Sequence, residues 1–106
     1  LLLMGVRVFC VLKLISRAPT YGYEIVTQLK NEGFSDLSES TLYPLLLRLE
    51  QQGKVVVERR PSPKGPSRKY YIATQKGQEA LREFRENWYQ LCGLVEKIFR
   101  EEKADE

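Results

Sequence analysis

Leu42, Leu45, Leu46 and Leu49 recur at i, i+3, i+4 and i+7, the spacing that gathers four side chains on one face of a helix. The other face holds Ser40, Pro44, Leu47, Arg48 and Gln51. Ser38 or Ser40 is placed to cap the start, and Gly53 to end the helix. Proline is tolerated where the first N–H groups have no intrahelical partner, so Pro44 favours a start near Ser40. Alone, this stretch fits an ordinary amphipathic core helix; its neighbours make it the second helix of a helix-turn-helix.

Two helices are predicted ahead of it. Residues 3–16 carry Val8, Val11, Leu12 and Ile15 on one face, with Phe9 and Leu14 beside it. So apolar a helix must be covered on more than one side. Pro19 ends the connection, and Thr20 stands where an N-cap is expected. Residues 21–31 line up Gly22, Ile25, Val26 and Leu29. Glycine costs a helix about 1 kcal/mol relative to alanine, so Gly22 is expected where another helix approaches closely.

After Gly53 the period changes. Residues 54–60 contain three consecutive valines between charged flanks and read as a strand. Residues 61–67, with three prolines and a glycine, read as a loop. Residues 68–73 return as a strand, with Tyr70 and Ile72 on one face and Lys69 and Tyr71 on the other. Thr74 is placed to cap a last helix over residues 75–101. There Leu81, Phe84, Trp88, Leu91, Val95 and Ile98 are spaced 3, 4, 3, 4, 3, a heptad seam. Such a helix extends about 40 Å, longer than any internal surface of so small a domain. The seam is therefore expected to meet the same helix, or the first, of a second copy; the competing arrangement folds it back over its own first helix. Residues 101–106 are expected to fray. The fold class is thus mostly α with a small β-hairpin: a winged helix-turn-helix over residues 1–74 and a dimerisation helix over residues 75–106.

Charge sharpens this picture. The net charge of the 106 residues is only +3. Between Arg59 and Lys76, however, stand six basic residues (Arg59, Arg60, Lys64, Arg68, Lys69 and Lys76) and no acid. The segment from Glu79 onward has eight acids and five bases. One segment therefore suits a polyanion. The chain has no histidine and two cysteines, Cys10 and Cys92. A His-dependent triad is excluded and no metal site or cofactor is expected. With neither a nucleophile–base pair nor a phosphate-binding glycine loop, an enzyme is not expected. Both cysteines read as buried small apolar residues of a reducing cytoplasm. The apolar N-terminus is interrupted by Arg7 and Lys13 and is shorter than the roughly 20 residues a membrane span needs, so no membrane association is expected. Met4 is an alternative start.

Three groups of residues carry a family resemblance. They are Tyr21-Gly22-Tyr23-Glu24-Ile25, then Ser40-Thr41-Leu42-Tyr43-Pro44-Leu45-Leu46 with Arg48-Leu49-Glu50 and Gly53, then Arg68-Lys69-Tyr70-Tyr71-Ile72 with Thr74 and Gly77. Together they make the chain resemble the PadR-family transcriptional regulators, and its single C-terminal helix resembles their compact subgroup. The proline-rich wing tip departs from the pattern. The resemblance implies a homodimeric repressor that binds an inverted repeat in double-stranded DNA and is released by a small, often aromatic, effector.

Under that resemblance the DNA-binding residues are Tyr21, Ser38, Ser40, Thr41, Tyr43, Arg48, Lys64, Ser67, Arg68 and Lys69. Ser40 and Thr41 meet phosphate or a base edge, Tyr21 and Arg48 meet phosphate, and the wing residues follow the backbone or minor groove. The dimer interface is expected to use Val8, Leu12, Leu81, Phe84, Trp88, Leu91, Val95 and Ile98. Trp88 and Phe84, with Val8 and Leu12, are expected to line an effector space, unless Trp88 simply packs the core. The competing reading is a winged-helix module that binds protein, for which six bases without an acid have no use.

Overall fold

The computed structural model describes the backbone of residues 2–104 and the side chains of residues 5–100. Its elements run α1 (Leu2–Arg17), α2 (Gly22–Glu32), α3 (Glu39–Gln51), β1 (Val55–Ser62), β2 (Gly65–Ala73) and α4 (Gln75–Ala104). This is the expected winged helix-turn-helix followed by a long helix. The outermost expected frayed residues, 105 and 106, lie outside the described residues. No helix among the described residues is long and apolar enough to cross a membrane.

The apolar α1 is the central post. Val8, Val11, Leu12, Leu14 and Ile15 are all buried, because α2, α3, α4 and β2 each pack on it. Ile25, Val26 and Leu29 of α2 and the four leucines of α3 close the core from the other side. Gly33 ends α2 at φ 121°, a backbone conformation that side-chain-bearing residues rarely adopt. Arg7 holds the following turn through Asp36 at 2.6 Å.

Thr20 is not the cap of α2. Tyr21 occupies that position, in extended conformation and without a side-chain capping bond. Thr20 instead forms an isolated antiparallel bridge with Tyr71. Its N–H donates to the Tyr71 carbonyl at 3.2 Å, and the Tyr71 N–H donates back at 2.7 Å. These bonds hold Thr20 extended and turn its side chain into the core, where Oγ1 finds no hydrogen-bond partner among the described residues.

The start of α3 also differs from expectation. Ser38, not Ser40, is the cap. Its Oγ accepts from the Thr41 N–H at 3.4 Å, while the Ser38 N–H donates to Thr41 Oγ1 at 2.9 Å, a reciprocal capping box. Pro44 consequently sits in the second turn, beyond the first N–H groups. The carbonyl it leaves unbonded belongs to Ser40, which is exposed and open to water, so the loss is tolerated.

The strands are longer than the sequence pattern implies. They run through the proline segment to a two-residue turn at Pro63 and Lys64. Pairing is Val55 with Ala73 through Arg60 with Arg68, then Ser62 with Gly65. Two residues, Pro66 and Ser67, therefore oppose Pro61, which makes a bulge. A two-stranded ribbon has a free edge on each side, and a bulge releases residues from the ladder, so proline need not interrupt it.

Thr74 caps α4 as expected, accepting the Gly77 N–H at 3.1 Å. The 30 residues of α4 extend about 45 Å, which stretches the molecule to 61 × 28 × 21 Å. Its first turns pack on α1, where Phe84 stacks on Phe9 with centroids 4.2 Å apart. Beyond Phe84 the helix leaves the core, and Leu91, Leu94, Val95, Ile98 and Phe99 are exposed.

Candidate nucleic-acid interface

The N-terminal ends of α2 and α3 face the hairpin across an open cleft of about 380 Å³, lined by Tyr21, Gly22, Tyr23, Glu39, Tyr43, Arg59, Ser67, Arg68, Lys69 and Tyr71. Gly22 lies close to Tyr43. A Cβ at this position would stand 3.3 Å from Tyr43 Oη, a tight contact that the half-exposed tyrosine would relieve by moving a few tenths of an ångström. The Tyr43 hydroxyl also lies 3.5 Å from the Glu39 carboxylate. Glu39, in the first turn of α3, complements the helix dipole.

Across this cleft the hairpin sets like charges opposite one another. Arg59 pairs with Lys69 and Arg60 with Arg68. Directly opposed like charges destabilise a ladder, by analogy with favourable pairs worth about 0.2–1 kcal/mol. The outer pair is partly relieved. Arg60 lies over the Tyr70 ring at 4.7 Å and 3.6 Å from Glu58. Arg68 lies over the Tyr21 ring at 4.6 Å, and Tyr21 itself leans on Tyr70. The inner pair, Arg59 and Lys69, has no ion-pair partner among the described residues.

The expected DNA-binding residues divide into groups. Tyr21, Tyr43, Ser67, Arg68 and Lys69 share the cleft, and Lys64 stands exposed at the hairpin turn. Ser40 is exposed on the outward side of α3, and Arg48 is exposed toward its C-terminal end. Ser38 and Thr41 are committed to each other: besides the capping box, Thr41 Oγ1 donates to the Ser38 carbonyl at 2.9 Å. Their hydroxyls build the helix start. Lys76 leaves the basic group altogether. It lies beside Gly53, at the opposite end of the hairpin from Lys64, and borders a second cleft of about 450 Å³ with Phe9, Lys54, Glu79, Glu83, Phe84 and Asn87.

The expected dimer residues divide as well. Leu12 is 0% exposed and Val8 almost fully buried in the subunit's own core, so neither offers surface to a partner or an effector. Leu81 packs partly against that core. Phe84 stacks on Trp88 at 6.1 Å, and Trp88 keeps 36% of its surface exposed.

Sequence reasoning passed over three residues here. Arg59 was counted as basic but not placed in the site; only the register shows that it faces Lys69. Tyr23 follows the Tyr-Gly pair and is exposed at the cleft. Leu47 lies on the outward face of α3, as its position opposite the leucine stripe foretells.

A model of the PadR-like transcriptional regulator family matches residues 11–83, which include the helix-turn-helix, the hairpin and the start of α4. The chain belongs to this family. Two solved structures share both sequence and shape with this chain. A transcriptional regulator from Streptococcus is 41% identical, with a TM-score of 0.84 over 92% of this chain and 95% of that one. A PadR-like transcriptional regulator from Bacillus cereus is 40% identical, with a TM-score of 0.83 over 92% and 94%. A protein of Lysinibacillus sphaericus is 30% identical over 88 residues, 81% of each chain. PadR-like proteins are transcription factors rather than enzymes, so the coarse function of this chain is DNA-binding regulation of transcription.

Proposed function

We propose that this PadR-like protein is a homodimeric repressor that docks two copies of α3 in successive major grooves of an inverted repeat. The observation that carries DNA contact is the inner pair of like charges, Arg59 opposite Lys69, facing the start of α3. Phosphate would neutralise that repulsion. The N-terminus of α3, with its positive dipole end and outward Ser40, points to the same polyanion. Tyr21, Tyr43, Lys64, Ser67, Arg68 and Lys69 then follow the backbone, with Arg48 reaching a flanking phosphate.

Dimerisation rests on α4 (Gln75–Ala104), within the expected dimerisation unit of residues 75–106. At about 100° per residue, Leu94, Ile98, Leu91, Phe84, Val95, Trp88 and Phe99 cover an arc of about 140°. That is wider than the a/d seam of a two-stranded coil, and it fits the space between two helices of a second copy. Trp88 and its symmetry mate lie where the exposed part of α4 begins. A flat aromatic effector stacked there, with Phe84 beneath, would change how the subunits sit and release the operator.

Sedimentation of the protein, alone and with a duplex from its own promoter at two salt concentrations, tests the proposal. The expected result is a dimer that shifts the duplex and loses it steeply as salt rises. A monomer that leaves the duplex unshifted at low salt refutes it.

A further inference from the structure

We infer that Leu47 determines operator specificity by packing against the 5-methyl group of a thymine in each half-site; this rests on the DNA-binding reading above. The outward stripe of α3 runs Ser40, Pro44, Leu47, Gln51, and all four are exposed. Its two central side chains have no hydrogen-bonding atom. Leu47 is 54% exposed, and beside it the half-exposed Tyr43 ring and Pro44 extend one apolar strip. That strip is no spare piece of core: Leu42, Leu45, Leu46 and Leu49 already fill the buried face.

A lone exposed leucine needs no explanation. This one lies one turn beyond Tyr43, an α3 residue that shares the cleft with Arg59, Arg68 and Lys69, where a polyanion held by the hairpin would bring a groove floor against it. In the major groove every base edge offers donors or acceptors, and the apolar feature of the code is the thymine methyl. A leucine held against any other edge leaves that edge's polar groups without a partner, which disfavours the wrong base as well as favouring the right one.

The test begins with duplexes selected from a random-sequence pool by the wild-type protein. Each thymine of the selected site is then replaced, one position at a time, by deoxyuridine, which removes only the methyl group. At one symmetric position affinity should fall about fourfold per half-site, the worth of one buried methyl group. Leu47→Ala should bind the thymine and uracil duplexes equally while unfolding at the wild-type temperature. Leu47→Gln should shift selection toward adenine at that position. The inference is overturned if the wild-type protein binds every uracil duplex as well as its thymine parent, or if Leu47→Ala keeps the discrimination. Failure to select any duplex overturns the DNA-binding reading itself, and the selection step separates that failure from the other.

Discussion

Gly77 lies in the first turn of α4 at the junction where the long helix meets the hairpin. A Cβ added there would fall well inside contact distance of the Lys54 carbonyl oxygen, and 3.5 Å from Leu12 Cδ1. The leucine contact is ordinary; the carbonyl contact is not. That oxygen is backbone, and it already accepts the Thr74 N–H at 3.0 Å, so it cannot swing aside without weakening that bond. For Gly77→Ala, alanine contributes about 1 kcal/mol of helix propensity. Against this stand overpacking of about 1–3 kcal/mol and the strained hydrogen bond, about 1 kcal/mol. The net expectation is a destabilisation of about 2 kcal/mol, roughly 8–16 °C in Tm for a domain near 100 residues. Gly93→Ala is the matched control. It also lies inside α4, with no atom within 4 Å of the added Cβ, so propensity alone acts and stability should rise by up to about 1 kcal/mol. Urea unfolding followed by circular dichroism, at one fixed protein concentration because self-association would shift apparent stability, measures both. The reasoning is refuted if Gly77→Ala is as stable as the parent, or if Gly93→Ala loses as much.

Three further outcomes are expected. Thr20→Val keeps the bridge to Tyr71 and removes a buried hydroxyl without a partner, so it should raise stability by about 1 kcal/mol; a lower urea midpoint contradicts this. Lys69→Gln should act with opposite signs on folding and binding. Relief of the repulsion with Arg59 stabilises the hairpin by a few tenths of a kcal/mol, while loss of a phosphate contact lowers the salt slope of DNA binding by about one. Loss of both stability and affinity would remove the repulsion argument. Burial, then the Glu50 carboxylate and Tyr43, push the Tyr71 hydroxyl above the usual tyrosine range. The folded state therefore holds that proton more tightly than the unfolded chain. Its contribution to stability is intact below about pH 10 and is lost as pH rises through the higher folded-state value. Urea midpoints from about pH 8 to 11 should decline less for Tyr71→Phe than for the parent, and identical declines would exclude Tyr71 as the cause.

The helices were legible in the sequence because their signal is periodic and local. The stripes of α2, α3 and α4 repeat at the helical spacing, and Thr74 announces the start of α4. Features that depend on a partner were not legible. Proline 61 and proline 66 argue against strand by propensity, yet pairing and a bulge admit both. Thr20 looks like a cap until β2 offers it a ladder bond. Val8 and Leu12 sit on an apolar face that can serve equally a core or an interface, and only the packing of α1 beneath the other helices assigns them to the core. Arg59 could not be placed without the register, since a one-residue slip sends it to the other face.

The same junction fixes the start of α4 to the end of the helix-turn-helix. Thr74 Oγ1 donates to the Gly53 carbonyl at 2.7 Å and accepts the Gly77 N–H at 3.1 Å, while its own N–H donates to Lys54. Gly53 and Lys54 immediately follow the capped end of α3 and lead directly into β1. Two hydrogen bonds from Thr74 therefore tie the start of the long helix to the segment that joins α3 to the hairpin, the third caps the helix itself, and Gly77 leaves no slack at the junction. Phe84 against Phe9 adds a second attachment two turns along. A displacement of α4 beyond Phe84 would act on a helix whose start is anchored to α3 and the hairpin. In the proposed dimer, a change in how two copies of α4 pack would be carried through these bonds to the spacing of the two α3 helices.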